Sequence, residues 1–104
     1  MRASTALVRE VKQTQRGHAT VQDIGTSAEA VGTGDVASLG WAWFRNLDTT
    51  NYVEIGPDSA GSLVPFLKLK AGEVSGPIRL KPGITIKAQA NTATVKLQMC
   101  ILDD

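Results

Sequence analysis

The sequence has little with which to do chemistry. Its 104 residues include one cysteine, Cys100, and one histidine, His18. A lone thiol cannot close an internal disulfide, which excludes a disulfide-stapled scaffold. A metal centre needs several nitrogen, sulfur or carboxylate ligands at suitable spacing, and His18 has no such neighbours, so no metal and no cofactor are expected. No apolar run is long enough to span a membrane, and the polar N-terminal stretch lacks the apolar core of a secretory signal. These absences favour a soluble protein made in a reducing cytoplasm. Lys and Arg number 11 against 10 Asp and Glu, for a net charge of +1. A balance this even lacks the basic excess of a nucleic-acid binder.

What is present is alternation punctuated by turns. Ile84, Ile86, Ala88 and Ala90 alternate with Thr85, Lys87, Gln89 and Asn91, and Val95, Leu97, Met99 and Ile101 with Lys96, Gln98 and Cys100. Successive strand side chains point to opposite faces, so both runs read as half-buried strands, and Asn91–Thr94 between them suits a hairpin. Leu63, Pro65, Leu67 and Leu69 mark a further strand, placed at an edge because Pro65 has no N–H to give a ladder. The run from Gly40 to Leu47 is apolar on both faces. Ala19–Ile24 reads as a weaker strand, Ala28–Val31 as a short one, and residues 5–14 lean to strand. Gly72 and Gly83 end two similarly spelled turns, eleven residues apart. Turn signals at that spacing, with no sustained helical period, predict an all-β fold. The expected form is a single β-sandwich of jelly-roll type with about eight short antiparallel strands. Residues 19–104 form the expected sandwich, and residues 1–18 an N-terminal arm or first strand. Arg2, Arg9, Lys12 and Arg16 give that arm four cations against the single carboxylate of Glu10, a charge suited to docking on an acidic partner surface.

The stretch RNLDTTNYVEIG, residues 45–56, holds the densest set of functional groups. Asp48 and Glu54 could form a carboxylate pair. Yet Asp, Thr and Asn at 48–51 are what a hairpin turn requires, and Gly56-Pro57-Asp58 reads as the next break. A turn Asp and an outward Glu are solvated, with pKa values near normal, and suit neither acid nor base. Gly32-Thr33-Gly34-Asp35-Val36-Ala37 matches a dinucleotide fingerprint in letters, but no helix can follow it to receive a pyrophosphate. Arg16–Ala19 reads as a turn carrying His18. Cys100, without a base beside it, reads as an inert core or interface residue, and Asp103-Asp104 as a solvated tail. These readings point away from an enzyme and from a small-molecule substrate.

Trp41, Trp43, Phe44, Tyr52 and Phe66 are the five aromatics. Trp41 and Trp43 share a face by alternation and Phe44 lies opposite. Core packing is expected for a tryptophan face. Trp41 and Trp43 nevertheless join the outward Tyr52 and Phe66, and the cations of the arm, as candidates for a protein interface.

Several segments taken together are similar to those of a known group. They are Ile24–Ser27, Gly34–Val36, Arg45–Gly56, Leu67–Glu73 and Lys87–Ala93. Over residues 19–102 the chain resembles small β-sandwich virion proteins encoded in the structural gene clusters of tailed bacteriophages. The resemblance implies a non-enzymatic structural protein of the particle, made in the host cytoplasm and carried on the capsid surface. The expected role is a capsid cement or decoration protein that binds the major capsid protein and associates with itself as a homo-oligomer, with a trimer as the leading arrangement. A neck or tail accessory protein is the alternative within the particle. A carbohydrate- or receptor-binding module using Tyr52, Asp48 and Asn51 is the alternative outside it.

Overall fold

A computed structural model describes residues 17–104. Arg2, Arg9, Lys12, Arg16 and the strand expected over 5–14 lie outside the described residues. Nine strands follow in order: β1 Gly17–Ile24, β2 Glu29–Ala30, β3 Leu39–Asn46, β4 Val53–Ser59, β5 Ser62–Leu63, β6 Leu67–Leu69, β7 Ile78–Arg79, β8 Ile86–Ala90 and β9 Val95–Asp103. The protein is all-β, as the alternation predicts.

The strands form two antiparallel sheets. The first runs β1-β9-β3-β7, and the second β2-β8-β4 with β5 and β6 on the far side of β4. The pairing is nested. β1 pairs β9, β2 pairs β8, β3 pairs β7, and β4 pairs β5 and β6. One long antiparallel ribbon, folded back at its centre, gives that nesting. Wrapping the ribbon adds the β3–β9 and β4–β8 ladders and closes a jelly roll. The two-residue turn at the centre is Ala60-Gly61, both at positive φ (53° and 88°), the combination a type I′ hairpin demands.

The core lies between the sheets and follows the predicted parity. Val95, Leu97, Met99 and Ile101 of β9 face Ile86, Ala88 and Ala90 of β8, with Val53 and Ile55 of β4 and Phe44 of β3. Both connections expected to be hairpins are instead crossings. β3 and β4 lie in different sheets, as do β8 and β9, so residues 47–52 and 91–94 arch from one sheet to the other. Two strands with inward apolar parity satisfy it equally well side by side or face to face, so alternation does not separate a hairpin from an arch.

Other expectations also change. Gly56-Pro57-Asp58 does not break the chain but runs through β4. The Asp58 N–H donates to the Thr85 carbonyl at 2.9 Å, so the Pro57 nitrogen faces the other way, toward residues 64–66, where the ladder is interrupted. Gly56 is required there because a Cβ would collide with the Val64 carbonyl oxygen. The strand predicted over 63–70 is accordingly split into β5 and β6, and β6 is an edge, as Pro65 suggested. His18 is not in a turn but in β1, opposite Ile101. Neither tryptophan packs in the core. Phe44 fills that place, and Trp41 and Trp43 point out of the sandwich.

Candidate interaction surface

The outward face of the first sheet is built from the alternate positions of β1, β9 and β3. Strand register sets rows of residues across it. Ala19, Cys100 and Trp43 form one row, and Val21, Gln98 and Arg45 the next. Arg45 also bridges to Val74, extending that row. Small side chains in the middle of a row, flanked by large ones, leave a trough. Here it is a groove of about 490 Å³ lined by Ala19, Val21, Trp43, Val74 and Cys100 among others. Val21 is 48% exposed and Val74 56%, whereas Val31, Val36, Val53 and Val95 are buried. The β1 alternation explains Val21: Thr20 and Gln22 take the inward side, and the apolar residue is left outside.

Beyond the groove, Trp41 is 43% exposed and holds the Arg79 guanidinium 5.6 Å from its ring centre. Arg79 also pairs with Asp104. A β-bulge between Leu39 and Ala42 displaces this part of β3 from the strict β9 register. At the other end of the face, Asp23 and Lys96 pair at 2.9 Å, and both are well exposed. The face thus sets Val21, Trp43 and Val74 beside Gln98 and Arg45 in the groove, with ion pairs at its margins.

The remaining candidates lie elsewhere. Tyr52 belongs to the second sheet's side, where the Lys68 ammonium sits 4.2 Å over its ring. Asn91 Oδ1 accepts from the Tyr52 N–H at 3.1 Å, and the Thr92 hydroxyl donates to Asn51 Oδ1 at 2.8 Å. Phe66 is 63% exposed beside the open side of the sandwich. So the structure brings Trp41 and Trp43 together on one face and keeps Tyr52 and Phe66 apart from them. Ala19, Val21, Val74 and Arg79 join the tryptophans, and the sequence reading did not single them out. The inverted parity of β1, with Val21 opposite the Thr20–Gln22 set, was the available signal.

Asp48 is committed to its own turn. Asp48 Oδ2 accepts from the backbone N–H groups of Asn51 at 2.6 Å and Thr50 at 3.0 Å. Those bonds, that from Asn51 first, hold its carboxyl below the ordinary aspartate value rather than near it as expected. Asn46 is the one fully buried polar side chain among the described residues. Its Nδ2 donates to the carbonyls of Asn51 at 2.8 Å and Leu69 at 3.0 Å, and its Oδ1 accepts from the Asp48 N–H at 2.8 Å. The predicted turn chemistry is therefore real, and it secures an arch between the sheets. Gly34-Asp35 forms a turn followed by β3, with no helix to serve a dinucleotide. Cys100 is half-buried in the groove floor.

No protein-family profile matches the chain, and no curated protein matches it in sequence. A solved structure is similar in fold. It comes from work showing that Bacillus endospore appendages form a novel family of disulfide-linked pili. It superposes with a TM-score of 0.61 at 17% identity, covering 86% of this chain and 85% of that one. At that identity the likeness is one of fold: the chain is a compact β-sandwich similar in architecture to a pilus protein.

Proposed function

We propose that this chain is a non-enzymatic structural subunit that docks onto other subunits of a repetitive protein assembly. The observation that carries the reading is the outward face of the first sheet, where Trp43, Val21 and Val74 line a groove with Gln98 and Arg45, and an exposed Trp41 lies beyond it. A sheet face of that kind is covered in assemblies and wasteful in a free monomer. Two settings fit. The resemblance to virion proteins supports capsid cement, a symmetric oligomer binding the major capsid protein on the capsid surface. The fold likeness to a pilus protein supports assembly of copies with one another. Cys100 by itself can link copies at most in pairs, so disulfides through it alone would not build a longer array.

The carbohydrate-binding reading has less support. A sugar platform needs a free aromatic face, and one face of Tyr52 already carries Lys68. The test is analytical ultracentrifugation and negative-stain electron microscopy of the purified full chain over a concentration series. Filaments or a discrete symmetric oligomer are expected. A stable monomer at all concentrations that also ignores purified capsids would refute the assembly role. Copy number in the source particle, from quantitative mass spectrometry, separates the settings: parity with the major coat protein supports cement, a few copies support a neck or tail component, and absence removes the virion.

A further inference from the structure

The two open sides of the sandwich are finished differently. On the β1–β2 side, polar groups seal the gap between the sheets. Gln22 Nε2 donates to the Ala30 carbonyl at 3.1 Å, and Gln22 Oε1 accepts from the Gly32 N–H at 2.8 Å, while the His18 ring packs against Gly34. On the opposite side, between β7 and the β5–β6 region, nothing comparable closes the gap among the described residues. A cleft of about 360 Å³ opens there, walled by Pro57, Val64, Phe66, Ile78, Ile84 and Ile86. Its volume lies in the range of ligand clefts, about 300–1,000 Å³.

The chemistry of the walls narrows the occupant. A peptide strand laid in the cleft would find backbone partners only along the free edge of β7, since the wall of residues 57 and 64–66 has none to give. The N–H groups of Val64, Phe66 and Leu80 are already committed to Pro57, Ile55 and Gly40, and Pro57 and Pro65 have none. An alkyl chain needs no such partners. The charged groups at the rim are Arg79 and Lys81, with no carboxylate in the lining among the described residues. Arg79 is engaged by Asp104 and Trp41, whereas Lys81 forms no ion pair among the described residues.

We propose that this cleft is a binding site for a free single-chain amphiphile with an anionic head, such as a medium-chain carboxylate. The alkyl chain lies between Phe66 and Ile84, and the head group meets Lys81. Binding covers Phe66 and Val64, two of the most exposed large apolar side chains, without displacing any hydrogen bond. The cleft opens at the β7 edge of the first sheet and shares no lining residue with the groove, and Arg79 stands between the cleft and Trp41.

The test is titration of the ¹⁵N-labelled full chain with decanoate and decan-1-ol below their aggregation limits. Saturable amide shifts are expected, centred on Phe66, Ile78, Lys81 and Ile84. Phe66→Glu, at an exposed position that tolerates charge, weakens decanoate by about tenfold or more. Lys81→Glu weakens decanoate by about threefold and leaves decan-1-ol unchanged. Non-saturating shifts, shifts centred on Val21 and Trp43, or a Phe66→Glu protein that binds as before would overturn the site. So would binding to phosphatidylglycerol vesicles with no response to free decanoate, which would assign the face to a membrane surface instead.

Discussion

The Asn46 carboxamide donates to the Leu69 carbonyl over 3.0 Å, joining the end of β3 in one sheet to the end of β6 in the other. The same side chain bonds the Asn51 carbonyl and the Asp48 N–H, so one residue fixes the arch between β3 and β4 and the edge of the second sheet. Its backbone adds two more ties to the 70–74 turn: the Asn46 N–H donates to Glu73, and the Asn46 carbonyl accepts from Gly72.

Asn46→Ala is expected to cost about 2–4 kcal/mol in urea unfolding, because it leaves a buried Leu69 carbonyl and its neighbours without partners. A loss under about 1 kcal/mol would show that water replaces the side chain and that the arch holds without it.

Gly56→Ala and Gly72→Ala separate two uses of glycine. At Gly56 an added methyl collides with the Val64 carbonyl, and β4 or the 64–66 segment must shift. Gly72 stands in open space at φ +78°, so a methyl there meets only the left-handed penalty, about 1–2 kcal/mol. Gly56→Ala is expected to cost more in thermal unfolding. Equal losses would mean that the 64–66 segment gives way freely.

Asp48 supplies a pH signature. Its carboxyl is held below the ordinary value by the Asn51 and Thr50 N–H groups. A lowered folded value means that the stabilisation is complete above the unfolded pKa, about 4, and is lost as pH falls through the folded pKa. The stability difference between the wild type and Asp48→Asn should therefore be constant near neutrality and shrink in acid. A difference that grows on acidification would contradict the assigned bonds.

Val21→Glu tests the groove with little risk to the fold. The side chain is exposed on the outward face of β1, so monomer stability should change by no more than about 0.5 kcal/mol. Self-association read by ultracentrifugation should fall sharply, since the charge enters the apolar wall that β1 gives the groove. Unchanged association would move the interface away from this sheet.

Local rules in the sequence determined the fold class and the core. Period-two alternation in 84–91 and 95–101 named the buried residues of β8 and β9, because a strand's parity depends on nothing beyond the strand. Pro65 marked an edge for the same kind of reason, a missing donor. Asp48 to Asn51 announced a turn through side chains that bond their own backbone. Tertiary structure alone decided which strand faces which. Alternation is the same for a hairpin and for an arch, so 47–52 and 91–94 became crossings only when the nested ribbon wrapped into two sheets. Trp43 and Phe44 are equally apolar neighbours, and which one enters the core depends on the register of β3 against β9. The groove exists because that register sets Ala19, Cys100 and Trp43 in one row. No local pattern carries that information, since its residues are brought together from distant parts of the chain.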